Sequence, residues 1–281
     1  MVPGFHASSL EFHDPARLIE DLAALGFGAI AIRPCRGAWD AGAAWYDSMT
    51  AEISAAAKEN CIAIIVDLDA PFYDDPRSFA SFSLASDDEQ QRSAAAQQIE
   101  SWIERVADLL PTAITFSTGR TRPPHGELVP STEEQVLERL AATIAPLCRR
   151  AGVEGLRLAL RPVAEHAIAT VAHFERFGQW LGSEVSLGLA ADVGEMLLGG
   201  EFPIGARLAR LEHRLSCVYL CEPDLDRGCD QRFGCGDIDL SRVWSVMTES
   251  GFAGPGVFRA CGHGRIGLDL ARQAIAITAT L

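Results

Sequence analysis

A chain of 281 residues with 48% hydrophobic and 22% charged residues has the composition of a folded globular protein, not of a disordered or low-complexity one. Its formal charge of −14, from 38 acidic and 24 basic residues, repels phosphate backbones and leaves no basic footprint for nucleic acid. No apolar run reaches the roughly 20 residues of a membrane span, and the start, Met1-Val-Pro-Gly-Phe-His6, lacks a basic region leading into a long apolar core, so the expected compartment is the cytoplasm.

Apolar, β-branched runs alternate along the chain with segments of helical period. A first strand is expected at 2–7. Asp14-Pro15 then opens a helix, with Asp14 as N-cap and proline in the first turn. Leu18, Leu22 and Leu25 share one of its faces and Gly26 closes it. Strands at 28–33 and 62–67 flank an alanine-rich helix at 41–59. A loop over 69–77 leads to a helix at 87–109 and a strand at 113–117, followed by a turn-rich loop over 118–127. Ser131-Thr-Glu-Glu134 reads as a capping box for a helix that ends near Gly152. The remaining expectations are a strand at 156–161, a helix at 168–181, a strand at 185–192 and a helical stretch at 205–215. A strand at 216–221, a helix at 240–250, a strand at 256–260 and a helix at 268–280 complete the chain.

Eight strand–helix units without a linker or composition break predict an α/β fold with parallel strands, a single domain over 1–281, closed into a (β/α)8 TIM barrel. A dinucleotide-binding fold would call for a G-x-G-x-x-G turn after an early strand, and none is present. The active site of such a barrel lies at the carboxyl ends of its strands. Alternation along each strand then assigns facing. Ala159 and Arg161 point inward, as do Gly188, Ala190 and Asp192, whereas Leu158, Leu160, Leu187 and Leu189 point toward the helices. Tyr219 and Arg259 fall on inward rows with Cys217, Cys221, Val257 and Cys261. Arg161, Asp192, Tyr219 and Arg259 are therefore expected to converge at one mouth. Of eight cysteines, five fall between Cys217 and Cys261, but neither Cys217/Cys221 nor Cys229/Cys235 has the C-x2-C spacing of a zinc knuckle. Buried free thiols are the expectation.

Several fragments carry a family resemblance. They are the segment Leu22 to Arg33, Leu158-Ala-Leu-Arg-Pro162, Leu187-Gly-Leu-Ala-Ala-Asp-Val-Gly-Glu195, and above all Arg232-Phe-Gly-Cys-Gly-Asp-Ile-Asp239 followed by Gly251-Phe-Ala-Gly254. In order and spacing they resemble the xylose-isomerase-like TIM barrels, which include sugar-phosphate isomerases and epimerases and, more distantly, metal-dependent abasic-site endonucleases. The resemblance implies a divalent cation held by a glutamate ending the fifth strand, an aspartate ending the sixth, a histidine on or after the seventh and a glutamate ending the eighth. It also implies a proton shuttled between adjacent carbons of an aldose or ketose. Only Asp192 matches. Arg161 and Arg259 stand where the two glutamates would be, Tyr219 at the seventh-strand histidine, and Glu195 at the histidine that follows the aspartate.

Guanidiniums offer only donors and stay charged, so they neither ligate a cation nor act as a base at neutral pH. The expectation is a dismantled metal centre with no cofactor, the alternative being a divalent cation at Asp192. Three readings of the arginines stay open. One is an internal Arg–carboxylate network. The second is a pocket for a small anionic or sugar-like ligand, lined by Arg161, Asp192, Glu195, Tyr219, Arg259 and His263. The third is a new catalytic site with Glu195, Tyr219, Cys221 or His263 as acid or base; the catalytic residues themselves are not assigned. An active isomerase or epimerase with other ligands, and a scaffold without ligand, are the competing functions. His6, Arg33, Asp67, Asp69, Arg232, Phe72 and Tyr73 are peripheral candidates, with Asp67 and Asp69 expected at the rim. The subunit number is left open.

Overall fold

The computed structural model describes residues 1–10, 13–34, 46–69, 83–120, 131–224 and 229–279. Its strands are β1 (Val2–His6), β2 (Ala29–Ile32), β3 (Ala63–Asp67), β4 (Ala113–Phe116), β5 (Leu158–Leu160), β6 (Gly188–Asp192) and β7 (Leu215–Leu220). A short antiparallel ribbon of β8 (Pro223–Asp224) and β9 (Cys229–Asp230) follows, and then β10 (Pro255–Phe258). All but the ribbon pair in parallel and close into a barrel in the order β1-β10-β7-β6-β5-β4-β3-β2. Around it lie α1 (Pro15–Ala24), α2 (Tyr46–Glu59), α3 (Glu89–Arg105), α4 (Glu133–Val153), α5 (Val171–Gly178), α6 (Val193–Leu198), α7 (Ile204–Arg210), α8 (Leu240–Glu249) and α9 (Gly267–Thr278). None of the described helices is long and apolar enough to cross a membrane.

Each strand separates two cores, as period-two alternation requires. Leu158, Leu160 and Leu189 belong to the layer under the helices, together with Leu18, Ile19 and Leu22 of α1. The inner row is Ala31, Ile65, Ala113, Ala159, Ala190, Cys217, Tyr219 and Val257. Four alanines in that row leave room for one large ring, and Tyr219 fills it, fully buried. Its hydroxyl crosses the barrel from β7 to Thr115 of β4, 2.8 Å away. The register between β6 and β7 shifts at Leu189/Ala190 and brings Asp192 opposite Tyr219.

Element identities follow the expected alternation, while several boundaries move for local reasons. The helix expected over 87–109 breaks at Val106 into α3 and a 3-10 turn, Ala107–Leu109. The one expected over 205–215 ends as α7 plus a 3-10 turn, Glu212–Arg214. That expected at 168–181 starts only after Thr170, whose side chain caps α5. The capping box of α4 lies one residue later than the motif suggests. Thr132 and Gln135 form it reciprocally, while Ser131 donates to Asp87 Oδ1 at 2.7 Å. The start of the helix expected at 41–59 lies outside the described residues for 41–45, as does most of the 69–77 loop with Phe72 and Tyr73. Helix α6 is an addition: Asp192, read from sequence as a strand end, is also the N-cap of the turn that follows it.

Candidate functional site

Asp67, ending β3, is the hub of the barrel mouth. Its Oδ2 accepts from His6 Nε2 at 3.0 Å, Arg33 Nη2 at 2.9 Å and Arg161 Nη1 at 3.3 Å. Its Oδ1 accepts from the Thr115 hydroxyl and the Asp69 backbone N–H, each at 3.0 Å. Since the Ser8 N–H donates to His6 Nδ1 at 3.1 Å, the proton of that ring sits on Nε2, facing Asp67. The Thr115 hydroxyl, donating to Asp67, accepts from Tyr219. Burial alone would raise the Asp67 carboxyl, but Arg161 and Arg33, with the His6 hydrogen bond, hold it well below the usual carboxylate range. His6 is itself lowered, because burial penalises its charged form. Asp67 is therefore a buried anion, not the rim residue that its place in the sequence suggests, and His6 is a satisfied core residue.

The second half of the network centres on Arg259, just past β10. Its Nη1 donates to Asp192 Oδ2 at 2.7 Å, Nε to Asp230 Oδ2 at 3.2 Å and Nη2 to Cys221 Sγ at 3.1 Å. The Cys221 thiol in turn donates to Asp192 Oδ1 at 3.1 Å, and that oxygen also takes the Gly194 and Glu195 N–H groups at 3.1 and 3.3 Å. Burial raises the Cys221 thiol well above its ordinary value, so it stays protonated and serves as a donor. Arg161 belongs to the first half: it pairs with Asp67 and, through Nη2, with Asp69, which Arg33 also reaches at 3.4 Å. Tyr219 lies beneath both arginines, with the Arg161 and Arg259 Cζ atoms 5.4 and 5.9 Å from its ring centroid.

Above this floor opens a cavity of about 380 Å³ whose walls include Arg33, Asp69, Arg161, Glu195, Asp230 and Arg259. Leu198, half exposed, and Val163 stand on the same walls. Glu195 is the third residue of α6. An N-cap aspartate followed by a glutamate at that position is a capping-box pattern. Here, though, the glutamate does not reach back: its Oε2 accepts from Ala164 N–H at 2.8 Å. Burial, and then the Asp192 charge, push its carboxyl up to about 7.

The structure thus brings Arg161, Asp192, Glu195 and Arg259 together. Tyr219 is sealed below the cavity with its hydroxyl bonded to Thr115, so it is a support rather than a lining residue. His263 turns its Nε2 to the Asp230 carbonyl at 2.9 Å, a bond that fixes the loop after β10, and neither it nor Arg232 lines the cavity. Two acidic residues escaped sequence reasoning. Asp230, on the β9 ribbon strand, clamps both Arg259 and the Cys261 N–H, the latter at 2.8 Å. Glu222 is buried and collects the N–H groups of Gly234, Cys235 and Gly236 at 2.9, 3.1 and 2.6 Å. That cradle explains the G-x-G of the Arg232-Phe-Gly-Cys-Gly segment: a Cβ at Gly236 would meet the Glu222 Cβ at 2.8 Å, and Gly234 has φ +79°. Cys61, Cys148, Cys217, Cys221, Cys235 and Cys261 are free thiols, three of them buried.

The donor set at the mouth does not fit a divalent cation. Asp192 already accepts from Arg259 on one oxygen and from three donors on the other. The neighbouring positions offer guanidiniums, which have no lone pair to give. Among the described residues no group of three or more His, Cys, Asp or Glu side chains is arranged to hold a metal.

The family model described as xylose isomerase-like TIM barrel matches residues 19–280. Solved structures of the same fold include D-psicose 3-epimerase from Clostridium cellulolyticum H10 with D-tagatose, at 18% identity and a TM-score of 0.76, covering 99% of this chain and 98% of that one. The 3-keto-D-glucoside 4-epimerase YcjR of E. coli aligns over 100% of both chains at 16% identity and a TM-score of 0.76. The IOLI protein with a zinc atom bound aligns over 99% of this chain and 95% of that one, at 16% identity and a TM-score of 0.73. No curated protein matches the chain. At these identities the likeness to solved structures is one of fold.

Proposed function

This chain belongs to the xylose isomerase-like TIM barrel family, and on that premise we propose that its barrel mouth binds a small polyhydroxylated metabolite without a catalytic metal. One observation carries the reading: each pocket guanidinium is shared between two aspartates. Arg33 and Arg161 both bridge Asp67 and Asp69, and Arg259 bridges Asp192 and Asp230. In this reading, fixed positive charge does the structural work of a cation, gathering carboxylates at the strand ends, and supplies no Lewis acid. Polar groups converge on a cavity of about 380 Å³ and are held rigid by strand ends, which is the arrangement of a small-molecule site.

A hydroxylated ligand suits these walls better than an anion. Phosphate or carboxylate would have to compete with aspartates already seated on every guanidinium. Solved neighbours include an epimerase with D-tagatose and one in the presence of D-fructose, which favours a sugar-like occupant. A thermal-shift screen of ketoses, polyols, amino polyols and sugar phosphates tests the proposal, because a ligand selective for the folded state raises the unfolding midpoint. At least one class is expected to do so, and Leu198→Trp, which puts bulk on the half-exposed rim, is expected to abolish the shift. A shift unchanged in that variant, or none from any class, contradicts it.

A further inference from the structure

The charges around the cavity do not cancel. Arg33, Arg161 and Arg259 face four aspartates, Asp67, Asp69, Asp192 and Asp230. Glu195 adds a further carboxylate on a wall that Asp224 also lines, and forms no ion pair among the described residues. Only its Oε2 is engaged, by the Ala164 N–H at 2.8 Å, which fixes the group and leaves Oε1 without a hydrogen bond among the described residues. Resting on the reading of the mouth as a ligand site, we infer that its occupant is a small hydroxylated amine, bound as the ammonium, with Glu195 as its counter-ion.

An anion would add to an existing excess of negative charge and find every guanidinium engaged. A neutral polyol would leave Glu195 either protonated or charged without a partner, whereas an ammonium gives its carboxylate an opposite charge. The ammonium carries three N–H donors and no acceptor, which suits a wall where carboxylate oxygens outnumber free donors. The pocket arginines do not oppose it as bare charges, since each lies between two aspartates. The formal charge of −14 on the whole chain also favours the approach of a cation.

Three matched probes test this: 1-amino-1-deoxy-D-sorbitol, D-sorbitol and D-sorbitol 6-phosphate, titrated calorimetrically into wild type, Glu195→Gln and Leu198→Trp at one pH and ionic strength. The amine is expected to bind wild type at least about tenfold more tightly than sorbitol, with no saturable binding of the phosphate. Glu195→Gln is expected to remove that preference, so that amine and sorbitol bind this variant within about threefold of each other. An amine preference that survives in Glu195→Gln overturns the inference. Tighter binding of sorbitol or of the phosphate, lost in Leu198→Trp, overturns it while leaving the ligand site standing. Failure of all three to bind wild type overturns the inference and the site reading together.

Discussion

A carboxylate that accepts from His6, Arg33, Arg161, Thr115 and the Asp69 backbone has no spare lone pair for a ligand, and Asp67 is such a group. Glu195 is its opposite: it lies in the same mouth but has a single donor among the described residues. The difference has a consequence for pH. The Glu195 carboxyl is raised from 4.5 to about 7 by burial and then by the Asp192 charge. Between those two values the folded chain holds a proton that the unfolded chain releases. The stabilisation from this group is therefore complete below about pH 4.5 and is lost as pH rises through about 7. Glu195→Gln, neutral throughout, should match wild type near pH 5 and exceed it at pH 8 by roughly 1–2 kcal/mol, after allowing for the solvent that reaches this wall. Chemical denaturation of both proteins at the two pH values checks this. A gap that stays constant with pH would mean that the carboxyl titrates normally.

At the scale of elements, the outcome depends on where polar caps fall. Asp192 both ends β6 and starts α6, because its Oδ1 takes the first free N–H groups of the turn. The sequence 192–195 carries that capping pattern, yet a carboxylate at a strand end invites a reading as a ligand and hides the helix. The α4 start shows the same ambiguity: Ser131 and Thr132 both suit an N-cap, and only Gln135 and the distant Asp87 decide between them. Thr132→Ala should cost about 1 kcal/mol of stability through loss of the box. Ser131→Ala should cost less, since it breaks only one partly exposed contact. A larger loss in Ser131→Ala than in Thr132→Ala, measured by urea denaturation, would place the cap at Ser131 instead.

At the scale of the molecule, the barrel was legible because two periods alternate along the chain eight times, and inward rows could be read from strand alternation. Ala159, Ala190, Cys217, Tyr219 and Val257 do face inward together. The convergence of Arg161, Asp192 and Arg259 followed from the same logic. Their partners were not legible. His6 and Arg161 meet Asp67 across 61 and 94 residues of sequence, and no local spacing encodes such a pairing. Asp230 lies on a two-residue strand, too short for any period to register. Glu222 is anchored by backbone N–H groups, which are the same for every sequence, so only the glycines at 234 and 236 hinted at a cradle. In the proposed reading, paired charges rather than a metal hold the mouth together, and a cation titration tests that most directly. Chelator-stripped wild type and Asp192→Asn, titrated with Mn2+ and read by calorimetry and by bound manganese after gel filtration, should both show no stoichiometric site. One equivalent of Mn2+ retained by wild type and lost in Asp192→Asn would contradict the account.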